Sequence, residues 1–297
     1  MKARMRMAGA LGALLVVGAL ALTGCGASGG SSSGTGGSTS GASTPADNGQ
    51  ITVSGSDTMV NMAQAWAEAY GNANPDAAIS VKGGGSGNGI AALLNKTVTF
   101  ADSSREIKPE EITQAQANGV NPVTTQVARD GVVIIVNSAN KLADISKDDL
   151  GKVYRGEITN WKDLGGADAA IVLLGRDSSS GTYSFIQDEV VGKDKLYAKS
   201  MRSLPSNQAI VDEIGKNPDA IGYVGLGYEN KTIKALTVGK VAASVDTVLD
   251  ASYPLSRPLN MISNGAPTGS AKAYIDWILG VDGQKIVADQ GFVPLKK

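Results

Sequence analysis

Histidine does not occur in this chain of 297 residues, and cysteine occurs once. The first absence removes the imidazole on which Ser-His-Asp hydrolysis, Cys-His proteolysis and most catalytic zinc sites depend. The single cysteine, Cys25, excludes intrachain disulfides and paired-thiol chemistry, so the folded part is expected to be held by packing alone. Aromatic residues are sparse at 5%, and the formal net charge is only -1. Such a balance supplies no basic field for RNA or DNA, and no nucleic-acid partner is expected. What the chain does have in quantity is glycine, 38 residues, together with an ordinary apolar fraction of 42%.

The chain begins with Lys2, Arg4 and Arg6, followed by an apolar run over residues 8–22 that is too short for a comfortable membrane span. Leu22, Thr23, Gly24 and Cys25 close this segment, and the LTGC run resembles the bacterial lipoprotein cleavage signal. That resemblance makes residues 1–24 a signal peptide and Cys25 the lipid-bearing first residue of the mature chain. Without Lys2, Arg4 and Arg6, 24 basic side chains face 28 acidic ones, a net charge of -4. Residues 25–50 are Gly, Ser, Thr and Ala with almost no large apolar side chain, a composition that cannot repay the entropy of folding. They read as a tether with a typical reach of about 25–30 Å.

From residue 51 onward the pattern is an α/β alternation. Ile51 to Val53 form a short strand before SGSDT at 54–58, and Met59, Met62, Ala63, Trp66 and Tyr70 recur at helical spacing, with Ser56 or Asp57 placed to cap the helix. AISVK at 78–82 is strand-like, and GGGSGNG at 83–89 leads into a second helix through Ile90, Leu93 and Leu94. A third short strand at 98–101 precedes DSSRE at 102–106 and a polar helix near 108–118, and two β-prone runs follow at 123–128 and 132–137. This order predicts a largely parallel sheet with helices on its faces. A second, similar pattern occupies the next stretch, with helices near 146–154 and 206–216 and strands at 170–174 and 220–224. The β-prone run at 258–262 and the helices near 268–279 and 283–290 are expected to return to the first domain, giving two crossings and a cleft.

The stretch GRDSSSGTYSF at 175–185 carries the clearest chemistry. Arg176 ends an apolar run, and Ser180, Gly181 and Thr182 stand at a helix start, so a guanidinium faces hydroxyls and backbone N–H groups in the manner of an oxyanion pocket. The plainer reading makes Arg176 half of an ion pair, with Asp177 or another carboxylate, and Ser180 a simple cap. Ser56, Asp57 and Thr58 repeat the pattern before the first helix, where Asp57 either caps or accepts a proton from a protonated anion. Ser86 and Gly87 sit in a glycine-rich loop that lacks the lysine and spacing of a nucleotide-binding P-loop. Ser104 and Arg105 add another hydroxyl and guanidinium, or else a solvated turn. For catalysis the parts are few: Asp57, Asp102 and Glu106 could bind Mg²⁺ or move protons, but no recognised arrangement fits them. A non-enzymatic chain with no cofactor and no metal is expected.

Several separated motifs carry a resemblance over the whole folded body: SGSDTM at 54–59, WAEAY at 66–70, GGGSGNG, DSSRE, DGVVIIVN at 130–137, VYRGEITNWKDLGG at 153–166, GRDSSSGTYSF, AIGYVG at 220–225, YPLSRPL at 253–259 and GFVPL at 291–295. Together they resemble the phosphate-binding proteins of bacterial ABC phosphate importers, the PstS type. The resemblance implies a two-domain periplasmic-binding-protein fold with mixed, mostly parallel sheets, two hinge crossings and the ligand in the interdomain cleft. Residues 51–133 and 256–297 would form domain 1, and residues 134–255 domain 2. It implies a monomer that takes inorganic phosphate through Ser56, Asp57, Thr58, the amide of Met59, Ser86, Gly87, Ser104, Arg105, Arg176, Ser180, Gly181 and Thr182. The loaded form would be presented to a membrane permease and ATPase complex of the PstC, PstA and PstB type, from a lipid anchor at Cys25 that faces the periplasm or exterior. The chain departs from the longest-studied members at the third loop, where Arg105 matches the aspartate that accepts the phosphate proton; Asp57 becomes the candidate acceptor. The same fold tuned to sulfate, molybdate or a phosphonate, or kept for surface scavenging, adhesion or signalling, is the alternative.

Overall fold

The computed structural model describes residues 49–295; the signal segment, Cys25 and most of the tether lie outside the described residues. In chain order the strands are β1 (Gln50–Gly55), β2 (Ala78–Lys82), β3 (Phe100–Ser103), β4 (Pro122–Asn137), β5 (Asp144–Ile145), β6 (Val172–Arg176), β7 (Arg202–Leu204), β8 (Ala220–Gly225), β9 (Ile233–Val238) and β10 (Ser256–Asn264). The α-helices are α1 (Val60–Ala73), α2 (Ser86–Leu94), α3 (Pro109–Ala117), α4 (Lys147–Arg155), α5 (Gly181–Ile186), α6 (Asn207–Lys216), α7 (Val245–Leu249), α8 (Gly269–Ile278) and α9 (Val281–Asp289). Among the described residues, the strands run in the order β2-β1-β3-β10-β4-β8-β6-β7, with β9 beside β4 and β5 beside β9.

The first half begins as its pattern predicts, with β1 parallel to both β2 and β3. It then departs from a parallel sheet, because the late strand β10 inserts between β3 and β4 and runs antiparallel to both. The two β-prone runs at 123–128 and 132–137 are one continuous strand, β4. Its residues 122–131 pair with β10, and its residues 132–137 pair with β8 and β9. Asp130 and Gly131, between the two runs, both fit inside the strand. Arg257 neutralises the buried Asp130, and a side chain at Gly131 would press on Val248 and on the ring of Tyr253.

Helix α1 buries Met62, Ala63, Trp66 and Tyr70, which are one face at 3–4 residue spacing. Trp66 donates its indole N–H to the carbonyl of Gly283, near the start of α9, which ties α9 to α1. Trp161 in the second half is buried and donates to the carbonyl of Asp219, which makes it an architectural anchor. One apolar cluster joins α1, β1, α8 and α9 to residues of α6 and β8. No helix among the described residues is long and apolar enough to cross a membrane.

Candidate functional site

The polar loops singled out in the sequence meet at one place. Thr58 and Thr182, 124 positions apart, have hydroxyls 3.0 Å from each other. Ser56 donates to Ser104 at 3.0 Å, and Ser86 lies 3.4 Å from the same oxygen while accepting the N–H of Ser104 at 3.1 Å. Gly181 closes the group, since a Cβ placed there would lie 2.3 Å from Ser86 Oγ and 2.7 Å from Ser104 Oγ. Ser56, Thr58, Ser86, Ser104, Ser180 and Thr182 are all buried. A nest of hydroxyls suits a compact oxyanion: exchanging hydroxyl–hydroxyl bonds for bonds to a charged oxygen makes them charge-assisted and stronger.

Some of the expected residues do different work. Met59 stands at the N-cap of α1 and no side chain caps the helix, so neither Ser56 nor Asp57 does so. Asp57 serves α6 instead: the first residue of that helix, Asn207, donates its backbone N–H and its side-chain amide to Asp57 Oδ2 at 2.8 and 2.7 Å. The Met59 N–H is 3.2 Å from the Ser56 carbonyl, and its side chain is in the core. The Gly87 N–H goes to the carbonyl of Ser179 at 2.9 Å, which makes the glycine-rich loop a seat for the 178–180 turn. Ser180 caps α5 by accepting the N–H of Tyr183.

Three buried arginines belong to the same loops and strand ends, and each faces a carboxylate. Arg105 makes a two-pronged pair with Glu111 at 2.6 and 2.8 Å. Burial raises the Glu111 carboxyl, but the bonds from Arg105 and from the Lys108 N–H outweigh it and hold the group below its ordinary range. Arg176 gives Nε to the carbonyl of Leu204 and Nη2 to that of Pro205. Its Nη1 is 3.1 Å from Asp57 Oδ2, an ion pair by distance; the contact is not aligned as a hydrogen bond, and Nη1 is buried without an acceptor. Arg105 Nε is likewise buried with no acceptor. These two N–H groups are spare donors at an otherwise satisfied site.

The third arginine, Arg257, and its partner Asp130 escaped the sequence reading. Arg257 opens β10 and holds Asp130 through Nε and Nη2, at 2.9 and 2.7 Å. Burial raises the Asp130 carboxyl and lowers the guanidinium, each against the attraction of the other. The available signal was an arginine inside the β-prone YPLSRPL run, a place where a charge is tolerated only when paired. Asn207 was missed too, as was Gly225, where a Cβ would lie 2.7 Å from the Thr58 methyl. Behind Arg176, the buried hydroxyl of Tyr223 accepts its backbone N–H at 3.0 Å, and burial pushes that phenol up to about 12. Asp102 is not among the hydroxyls; it is buried, and its Oδ1 has no partner. No cluster of three or more acidic, His or Cys side chains among the described residues is placed to hold a metal.

The family profile of the PBP superfamily domain matches residues 40–282. The phosphate-binding protein PstS of Bacillus subtilis is 35% identical over 251 residues, 84% of this chain and 81% of that one. Its counterpart in Borreliella burgdorferi is 31% identical over 257 residues, 83% of this chain and 90% of that one. Among solved structures, a chain from Clostridium perfringens crystallised with bound phosphate superposes with a TM-score of 0.78 at 32% identity, covering 83% of this chain and all of that one. An ABC-type phosphate transport receptor from Vibrio cholerae gives 0.70 at 28% identity, over 82% of this chain and 99% of the other.

Proposed function

The chain belongs to the PstS-type phosphate-binding proteins of the PBP superfamily, and we propose that it captures inorganic phosphate and delivers it unchanged to an ABC import permease. The observation that carries this reading is the buried hydroxyl nest, in which Thr58 meets Thr182 at 3.0 Å, with the spare N–H groups of Arg105 and Arg176. Such a site offers many donors and no nucleophile with a base beside it, which is a means of holding an anion rather than of cutting one.

In this reading the ligand groups are the hydroxyls of Ser56, Ser86, Ser104 and Thr182, the guanidinium groups of Arg105 and Arg176, and the backbone around Ser180 and Gly181, while the Thr58 hydroxyl is spent on Thr182. Asp57, Met59 and Gly87 then build the walls of the site. The lobes are residues 51–133 with 256–297, and residues 134–255. The change of partner along β4, from β10 up to Gly131 to β8 from Val132, supports a boundary there. Capture closes one lobe on the other, since Thr58 and Thr182 belong to different lobes.

The permease, its ATPase and a lipid at Cys25 complete the proposal. The test is high-affinity phosphate uptake in cells that depend on this chain, with the following outcomes expected. The full chain restores uptake to a deletion strain, and Cys25→Ala releases the protein from the membrane fraction. Uptake that is the same with and without the chain contradicts the delivery role.

A further inference from the structure

Arg257 spends all of its donors inside the protein. A guanidinium has five N–H groups and no acceptor. Nε and one N–H of Nη2 go to Asp130, and the other Nη2 N–H faces Thr58 Oγ1 at 3.4 Å. Nη1 donates to the carbonyl of Ser104 at 3.1 Å and to Thr182 Oγ1 at 3.0 Å. None is left for a ligand, in contrast to Arg105 Nε and Arg176 Nη1. Asp130 fixes the guanidinium in turn, because its second oxygen is held by the N–H of Leu226 at 2.9 Å.

These contacts set the direction of the hydroxyl protons. A hydroxyl has one proton and two lone pairs. Thr58 Oγ1 faces Arg257 and the amide nitrogen of Asn207, each at 3.4 Å, so both of its lone pairs are addressed by donors that cannot accept. Its proton goes to Thr182 Oγ1, 3.0 Å away. Thr182 Oγ1 then accepts from both Thr58 and Arg257, which leaves its own proton to point away from them.

We infer that Arg257, held on Asp130, is a positioning residue that makes the Thr182 hydroxyl a fixed donor to the bound anion. The inference rests on the phosphate-binding reading and goes beyond it by assigning a role to a residue that does not touch the ligand. The preset donor avoids the cost of reorienting a hydroxyl on binding.

The test is a double-mutant cycle on the full chain, with inorganic phosphate as titrant. In the parent, Thr182→Val weakens phosphate binding about tenfold or more, the loss of one hydrogen bond to a charged acceptor. In the Arg257→Lys background the same substitution costs less than about twofold, because lysine cannot hold Asp130 and both threonines at once. Ser86→Ala, at a hydroxyl Arg257 does not touch, costs the same factor in both backgrounds. Equal costs of Thr182→Val in the two backgrounds overturn the inference while leaving phosphate binding intact. Absence of binding by the parent overturns the phosphate reading itself. Should Arg257→Lys not fold, Thr182→Ser, which keeps the hydroxyl, is compared with Thr182→Val in the parent. Retention within about threefold by Thr182→Ser supports a fixed donor, and equal losses contradict it.

Discussion

Asp57 and Asn207 lie 150 positions apart and are joined by two hydrogen bonds, from the backbone N–H and the side-chain amide of Asn207 to one carboxylate oxygen. Because the same oxygen faces Arg176, the Asp57 carboxylate ties together a turn, a helix start and an arginine. Asp57→Ala leaves two buried donors and a buried cation unmatched, and it lowers stability by about 2–4 kcal/mol in chemical denaturation.

The isostere Asp57→Asn addresses selectivity. If this carboxylate is a staple, Asp57→Asn weakens phosphate and sulfate binding by the same factor in parallel titrations. A loss confined to phosphate would place the ligand proton on Asp57.

Gly85 has φ +107°, and a Cβ there would lie 2.6 Å from Ser179 Oγ and 2.7 Å from its carbonyl oxygen. Gly85→Ala therefore pushes the 178–180 turn off its seat while leaving the hydroxyl nest chemically intact. Phosphate affinity falls about tenfold or more. Small-angle scattering at saturating phosphate gives a larger radius of gyration than the parent. Unchanged affinity would show that the loop contact is not required for closure.

Asp102 supplies a pH signature. Burial raises its carboxyl from 3.8 to about 8. The folded protein keeps this proton where the unfolded chain has released it, so the favourable contribution is full below about pH 4 and is lost as pH rises toward 8. The slope is about -1.4 kcal/mol per pH unit within that window. Denaturation midpoints of the parent fall with pH accordingly, and Asp102→Asn removes this part of the slope. Identical pH profiles for the two proteins would contradict a protonated Asp102.

What was legible in the sequence is local. Strand-to-helix turns rich in Ser, Thr and Gly announced the hydroxyls, because small polar residues at such turns are the ones that leave donors free. The amphipathic faces of α1 and α8 were legible by period, as Trp66 and Tyr274 in the core show. Pairings across long separations were not. Nothing near Arg257 in the chain marks Asp130 as its partner 127 positions away, and nothing near Asp57 points to Asn207. The insertion of β10 beside β4 had the same cause: an antiparallel neighbour is chosen by the whole sheet, and residues 122–131 carry no local mark of a partner from the far end of the chain.

The central claim is that the hydroxyl nest is a phosphate site. Calorimetric titration of the full chain with inorganic phosphate, after unfolding and refolding to strip carried-over ligand, tests it directly. The account predicts one phosphate per chain, bound at micromolar concentration or tighter, with sulfate much weaker. Absence of phosphate binding by correctly refolded protein would contradict it.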